Sequence, residues 1–392
     1  MSMSSIAFDG ASRSAFSGAS RSAFRELFPV TRNLVYFNHA ALGPLSVRAA
    51  EAMEQFVRDQ RDYGALHWKK WYAEDARFRE SAAKLINADA EEIAILKNTS
   101  EGLSFVAQGI RWNEGDNVVT TALEFSSNWT PWKRLEPRGV ECRVASSFSA
   151  SDIEALIDDR TRVVTVSAVA FHNGAVADLE AIGEVCARRN VRFCVDAIQA
   201  LGVLPLDVRA ARVDFLAADG HKWTCGPESA AIFFVARERR DELEVLETGW
   251  TNVDRQGKFI DCSVELLPSA RRFEAGSLNT AGVYGMRAAI DLALEIGVDV
   301  IREHAVRVAT LLAEGLQSIG WNVASPLPIR SPIVGATPPD VEKSIRWIHG
   351  KLEEKGIITA PREGLVRFSP HYYNDEDEVQ RVIDALKGLT GS

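Results

Sequence analysis

Apolar residues recur along the chain in two rhythms. Short unbroken runs appear at Leu34–Phe37, Ile93–Leu96, Val118–Ala122, Arg162–Ala170, Val191–Val195, Phe215–Ala218 and Ala230–Val235. Each is closed by polar or turn residues, the pattern of strands buried on both faces. Helical spacing fills the intervals, over Ser46–Tyr63, the charged and aromatic stretch 67–88, the segment after Asn98, Asp152–Ile157 and Leu179–Arg189. Strands that alternate with helices predict an α/β fold around a doubly wound, mainly parallel sheet. Beyond residue 285 the order changes. Helical patterns cover Tyr284–Ile296, Val298–Ile319 and Pro339–Lys355, short strands Gly356–Ala360 and Gly364–Phe368, and a last helix Asp375–Leu389. The chain thus divides into a large domain at 46–285 and a smaller C-terminal α+β domain at 286–392. An N-terminal arm occupies 25–45. Residues 1–24 carry GASRSAF twice, and this Ser, Ala and Gly composition predicts a mobile segment.

Two strand ends carry the chemistry. Val213–Pro227 reads VDFLAADGHKWTCGP, an apolar run that turns at Asp219–Gly220 and presents His221 and Lys222. A lysine at the C-terminal end of a buried parallel strand stands where open α/β sheets bind ligands. Desolvation there lowers its pKa and frees the amine for Schiff-base chemistry. Most lysines are instead solvated, and Lys222 alone would not outweigh that reading. Upstream, VRFCVDAIQ places Asp196 directly after another buried run, with Gln199 one turn on. An acid at such a place commonly caps the next helix. Together, however, a lysine and a carboxylate on neighbouring strand ends are what pyridoxal phosphate needs, one to hold its aldehyde and one to keep its ring nitrogen protonated.

On these motifs the chain resembles the fold-type-I, class V aminotransferase and cysteine desulfurase superfamily. That family carries D-x-x-Q and [S/D]-G-H-K in this order. The resemblance implies a pyridoxal-phosphate transferase fold with a sheet of the seven-stranded type. It implies Lys222 as the cofactor lysine, Asp196 at the ring nitrogen, Gln199 at the ring hydroxyl and His221 against the phosphate. The segment Asn98-Thr99-Ser100-Glu101-Gly102 matches the family's phosphate grip, pointing to Thr99 and Ser100; a capping box explains the same residues without a ligand. In the family's terms Phe125 stacks on the ring with Asn128 beside it, as in the kynureninase-like and isopenicillin-N-epimerase-like branch, where desulfurases have histidine. RFEAGSLNT at 272–280 places Ser277 at the phosphate held by a second subunit, implying a homodimer with shared sites. LVRFSPHYYN at 365–374 maps the carboxylate arginine to Arg367, with Arg362 as a second candidate. His39, near a Y-F-N-x-A-A segment, is either a substrate neighbour or a satisfied structural histidine, and His172 or Asn173 faces cofactor or substrate.

Composition narrows the rest. A formal charge of −9 gives no nucleic-acid footprint, and no apolar run is long enough for a membrane helix. Five cysteines without C-x-x-C spacing, and histidines without ligand spacing, predict a metal-free, cytoplasmic protein. Residues 356–367 lack the cysteine with which desulfurases accept sulfur, so a persulfide relay is disfavoured. The expected function is pyridoxal-phosphate chemistry at the α-amino group of an amino acid, foremost transamination. A β-elimination lyase or epimerase, and a non-catalytic cofactor-binding module, are the alternatives.

Overall fold

The computed structural model describes residues 24–254, 260, 265–339 and 344–390, so residues 1–23 of the repeated segment and Cys262 lie outside it. Seven strands form the central sheet: β2 (Ile93–Leu96), β3 (Asn117–Thr121), β4 (Glu141–Ala145), β5 (Thr161–Ser167), β6 (Arg192–Asp196), β7 (Phe215–Asp219) and β8 (Ala231–Val235). A first strand, β1 (Val35–Tyr36), lies apart in the arm. The order is β2-β8-β7-β6-β5-β3-β4, and only β8 runs against its neighbours. The mainly parallel sheet agrees with the apolar runs. The exception in the reading is β4, which the sequence patterning does not reveal. It is an edge strand with Glu141 and Val144 exposed, so it has no continuous apolar run.

Period-two alternation divides each central strand between two cores. Ile232 and Phe234 of β8 join Ile95, Val164, Val195 and Leu216 on one face. Phe233 and Val235 join Leu103, Phe105, Val163 and Phe215 on the other. Phe233 and Phe234 are fully buried, each worth roughly 2–3 kcal/mol of apolar burial. After α1 (Val47–Tyr63), helix α2 (Trp68–Ile86) packs on the first face, α3 (Thr99–Gly109) covers the second, and α4 (Leu179–Arg189) packs beside β6.

Helix α5 (Thr280–Ile296) packs on α1 and α2, so the sequence boundary at 285 falls inside it. After it come α6 (Val298–Ser318), α7 (Ile345–Glu353) and α8 (Glu376–Thr390) around an antiparallel sheet. That sheet runs β12 (Ala360–Arg362), β13 (Leu365–Phe368), β10 (Val334–Thr337), β9 (Asn322–Val323). Strands β9 and β10 are two and four residues long, too short to show a period. The remaining strand, β11 (Ile357–Ile358), pairs in parallel with β1. Val35 and Phe37 thereby enter the C-terminal core with Leu312, Trp321 and Leu352. The arm is thus sewn to the end of the chain.

Candidate active site

Parallel strands aim their C-terminal ends at one crevice, and a cavity of about 250 Å³ opens there. Its walls include Thr99, Ser100, Phe125, Asp196, Gln199, His221, Lys222, Arg362 and Arg367, nine of the residues singled out from the sequence. They arrive from α3, from the ends of β3, β6 and β7 and the segments that follow them, and from the hairpin β12–β13.

Lys222 follows β7 in a tight loop that returns on itself, with Cys225 N–H donating to Lys222 O and Gly226 N–H to Gly220 O. Gly43 of the arm clamps this loop. Its N–H donates to His221 O over 2.7 Å, and a Cβ there would stand 2.0 Å from Lys222 O, so only glycine fits. Burial pushes the Lys222 amine down to about 8, against the pull of Asp196, with Arg367 adding to the depression. Its Nζ lies 5.8 Å from the centroid of Phe125, whose ring is 42% exposed and meets Phe171 edge-on. Asp196 ends β6. Burial raises its carboxyl to about 6, opposed by the Ile198 N–H that donates to Oδ1 and by the charge of Lys222.

Helix α3 begins at the cavity. Asn98 Oδ1 caps it by accepting from Glu101 N–H, while Glu101 Oε2 accepts from Lys97 N–H. Thr99 Oγ1 accepts from Asp219 N–H, which ties the helix start to the end of β7. Ser100 Oγ donates to Ser127 Oγ. The first turn of α3 presents the positive end of its dipole to the cavity. Asp219 was visible in the sequence only as a turn residue. It is buried, accepts from Gly220 N–H, and lies 2.9 Å from His221 Nδ1, out of line for a hydrogen bond. Gln199 commits Nε2 to Ala40 O and Oε1 to the Trp223 indole N–H, leaving one Nε2 hydrogen for the cavity.

Arg367 is 1% exposed. Its Nη1 donates to Phe171 O, while Nε and Nη2 are buried with no partner. Those two nitrogens form one edge of the guanidinium, the fork that takes a carboxylate through two parallel bonds. Burial, with Arg362 second, lowers this guanidinium to about 9.

Four expected residues do not line the cavity. His39 is fully buried in the core, with Nδ1 on Ser369 O, Nε2 on the Tyr373 hydroxyl and its ring stacked on Trp223, so it is structural. Asn128 is spent on protein: Oδ1 accepts from Trp132 and Thr165, and Nδ2 donates to Glu124. His172 stands beyond Phe171 with a buried, unpartnered Nδ1. Ser277 is exposed away from this chain's own cavity. Sequence reading missed Phe171 and Glu124. Glu124 accepts from Thr121, Asn128 and both the N–H and hydroxyl of Ser167, and burial raises it to about 7. An acid directly before the exposed aromatic was the available signal.

These groups fit pyridoxal phosphate. A helix N-terminus with two hydroxyls suits its phosphate, Phe125 its ring, Asp196 its ring nitrogen and Lys222 its aldehyde. Among the described residues no cluster of side chains suits a metal ion.

Comparison with known proteins agrees with this arrangement. The profile of the family described as Aminotransferase class-V matches residues 35–382. A probable cysteine desulfurase of Methanothermobacter thermautotrophicus is 32% identical, over 94% of this chain and 97% of that protein. The uncharacterized aminotransferase YcbU of Bacillus subtilis is 30% identical, over 93% and 97%. Among solved structures, the cystine C–S lyase C-DES in complex with its product cysteine persulfide superposes with a TM-score of 0.87 at 25% identity, over 92% of this chain and 98% of that one. The chain belongs to the class V aminotransferase family of pyridoxal-phosphate-dependent enzymes.

Proposed function

We propose that this enzyme transaminates a small α-amino acid whose carboxylate docks on Arg367. The observation that carries the reading is the buried, unpartnered Nε/Nη2 edge of that arginine, set in the same cavity as Lys222. Bound pyridoxal phosphate withdraws electrons from the α-carbon and makes its proton acidic. Lys222, lowered to about 8, would then take that proton from the α-carbon and pass it to the cofactor side of the new C–N bond, the shift that transamination requires. Arg367 fixes which bond stands over the ring by holding the carboxylate through its fork. Asp196 keeps a negative partner at the ring nitrogen. Phe125, in place of a histidine, offers no proton to a leaving group, which favours proton transfer over elimination.

A persulfide relay lacks support among the described residues. Cys142, Cys186, Cys194 and Cys225 are all buried, and burial raises each thiol, Cys142 to about 11 and Cys186 to about 12. Four free thiols fit a reducing, cytoplasmic setting. Elimination at a C–S bond is the second reading, favoured by the superposition on a cystine C–S lyase. We also read the working form as a homodimer. Exposed Tyr63, Leu66, Trp68 and Tyr72 offer an apolar patch at the α1–α2 corner, and Ser277 lies on the surface for a neighbour's site.

The test is the visible spectrum of the cofactor-loaded protein under single amino acids without keto acid. Transamination converts the band to a stable shorter-wavelength form and releases one keto acid per site. Continuous release of pyruvate or sulfide with recovery of the band replaces that reading with elimination.

A further inference from the structure

The hairpin β12–β13 turns through Glu363 and Gly364, both at positive φ, a two-residue connection that fixes its register. Ala360 pairs with Arg367, and Arg362 with Leu365. Directly paired residues share a face, and so do residues two apart, so Arg362 and Arg367 project from one side of the ribbon. They are diagonal neighbours, with Cβ atoms ~7–8 Å apart in such a pairing. Both line the cavity. Arg362 spends one N–H on Pro361 O, and among the described residues neither arginine forms an ion pair with a carboxylate. The acids of the cavity wall are committed elsewhere, Asp196 to Ile198 N–H and Asp219 to Gly220 N–H beside His221. Glu363, in the turn, is exposed and faces His172.

Two like charges on one ribbon face repel, and with Arg367 buried and Arg362 half-buried their closeness is costly unless a ligand supplies the negative charge. One α-carboxylate occupies the fork of Arg367 and leaves Arg362 over. We infer that Arg362 binds a second anionic group on the substrate, and that the enzyme takes amino acids with an acidic side chain, carboxylate or sulfinate. This rests on the docking of the α-carboxylate at Arg367 proposed above. The small cavity keeps the two anions within a compact molecule, and the hairpin holds both guanidinium groups in one frame.

Two titrations of the cofactor-loaded enzyme test the assignment. In the first, the visible band is followed with aspartate against its neutral isostere asparagine, glutamate against glutamine, and cysteine sulfinate against alanine. Acidic members are expected to half-saturate at least tenfold lower, and the pair with the largest ratio tells carboxylate from sulfinate. Arg362→Gln brings the ratios towards one and Arg362→Lys keeps an intermediate ratio, with the intact band reporting the fold of each variant. In the second, calorimetry compares succinate with butyrate, which need no amino group, and succinate is expected to bind at least tenfold tighter. Equal affinity for acids and their neutral isosteres overturns the role of Arg362 while leaving Arg367 in place. A band that responds to no amino acid, with no heat from either carboxylate, overturns both.

Discussion

Burial acts in opposite directions on the two titrating groups of the cavity. It lowers Lys222 to about 8 and raises Asp196 to about 6, and Glu124, hydrogen-bonded to Ser167 and Asn128, is raised to about 7. Each shift has a stability consequence in the cofactor-free protein. Between pH ~4.5 and ~7 the folded chain holds a proton on Glu124 that the unfolded chain has released, so stability falls as pH rises through that window. Glu124→Gln is expected to flatten this part of the curve in thermal melts from pH 4 to 8. For Lys222 the sign reverses, because the unfolded chain holds the extra proton between pH ~8 and ~10.5 and stability rises with pH there. Lys222→Ala is therefore expected to stabilise the cofactor-free protein at pH 7 by about 1–3 kcal/mol, read as a higher melting temperature. The same variant should yield no borohydride-reducible adduct with the cofactor. Replacing Arg367 by Gln removes a charge-assisted fork, and KM for the amino acid is expected to rise roughly 10–100-fold in steady-state assays.

At the scale of elements, the site depends on how α3 starts and how the Lys222 loop is clamped. Asn98→Ala deletes the cap on Glu101 N–H and is expected to cost about 1 kcal/mol in chemical denaturation. It should also weaken cofactor phosphate retention, read by dialysis, because the first turn loses its fixed direction. Gly43→Ala forces a Cβ onto Lys222 O and is expected to lower cofactor occupancy more than Asn98→Ala does. The same elements show what the sequence made legible. Buried strands, the Asp196 and Lys222 strand ends and the α3 start were readable because each is local, an apolar run closed by a few polar residues. Strand β4 was not, since an edge strand with charges has no run to read, and β9 and β10 are too brief for any period. Asn128 and His39 look polar and available in the sequence. Asn128 is consumed by Trp132 one helical turn on and by Thr165 of β5, and His39 by Ser369 and Tyr373 more than 300 residues away. Only the tertiary arrangement discloses that. Phe171 and Glu124 were missed for the converse reason, being ordinary residues that the sheet brings to the cavity wall in the first case and into a buried hydrogen-bond network in the second.

At the scale of the whole molecule, the exposed aromatic corner at Tyr63, Leu66, Trp68 and Tyr72 predicts association. Sedimentation velocity of the loaded protein is expected to give twice the mass of one chain, and Trp68→Glu to shift it towards the monomer with loss of cofactor. A monomer with full cofactor occupancy would instead leave Ser277 without a site to complete. The described residues contain no helix long and apolar enough to cross a membrane. One further feature bears on how the molecule is made. Val35 pairs with Ile357, Asn38 bridges to Ser369, and Ser369 Oγ accepts from Ala40 N–H while Gly43 clamps Lys222. The arm is therefore held by strands more than 300 residues further along the chain. During synthesis the central sheet can collapse first, yet the arm has no strand to pair with until residues 357–369 have emerged. Cofactor capture on this account waits for those residues, and a nascent chain stalled before residue 357 should bind none.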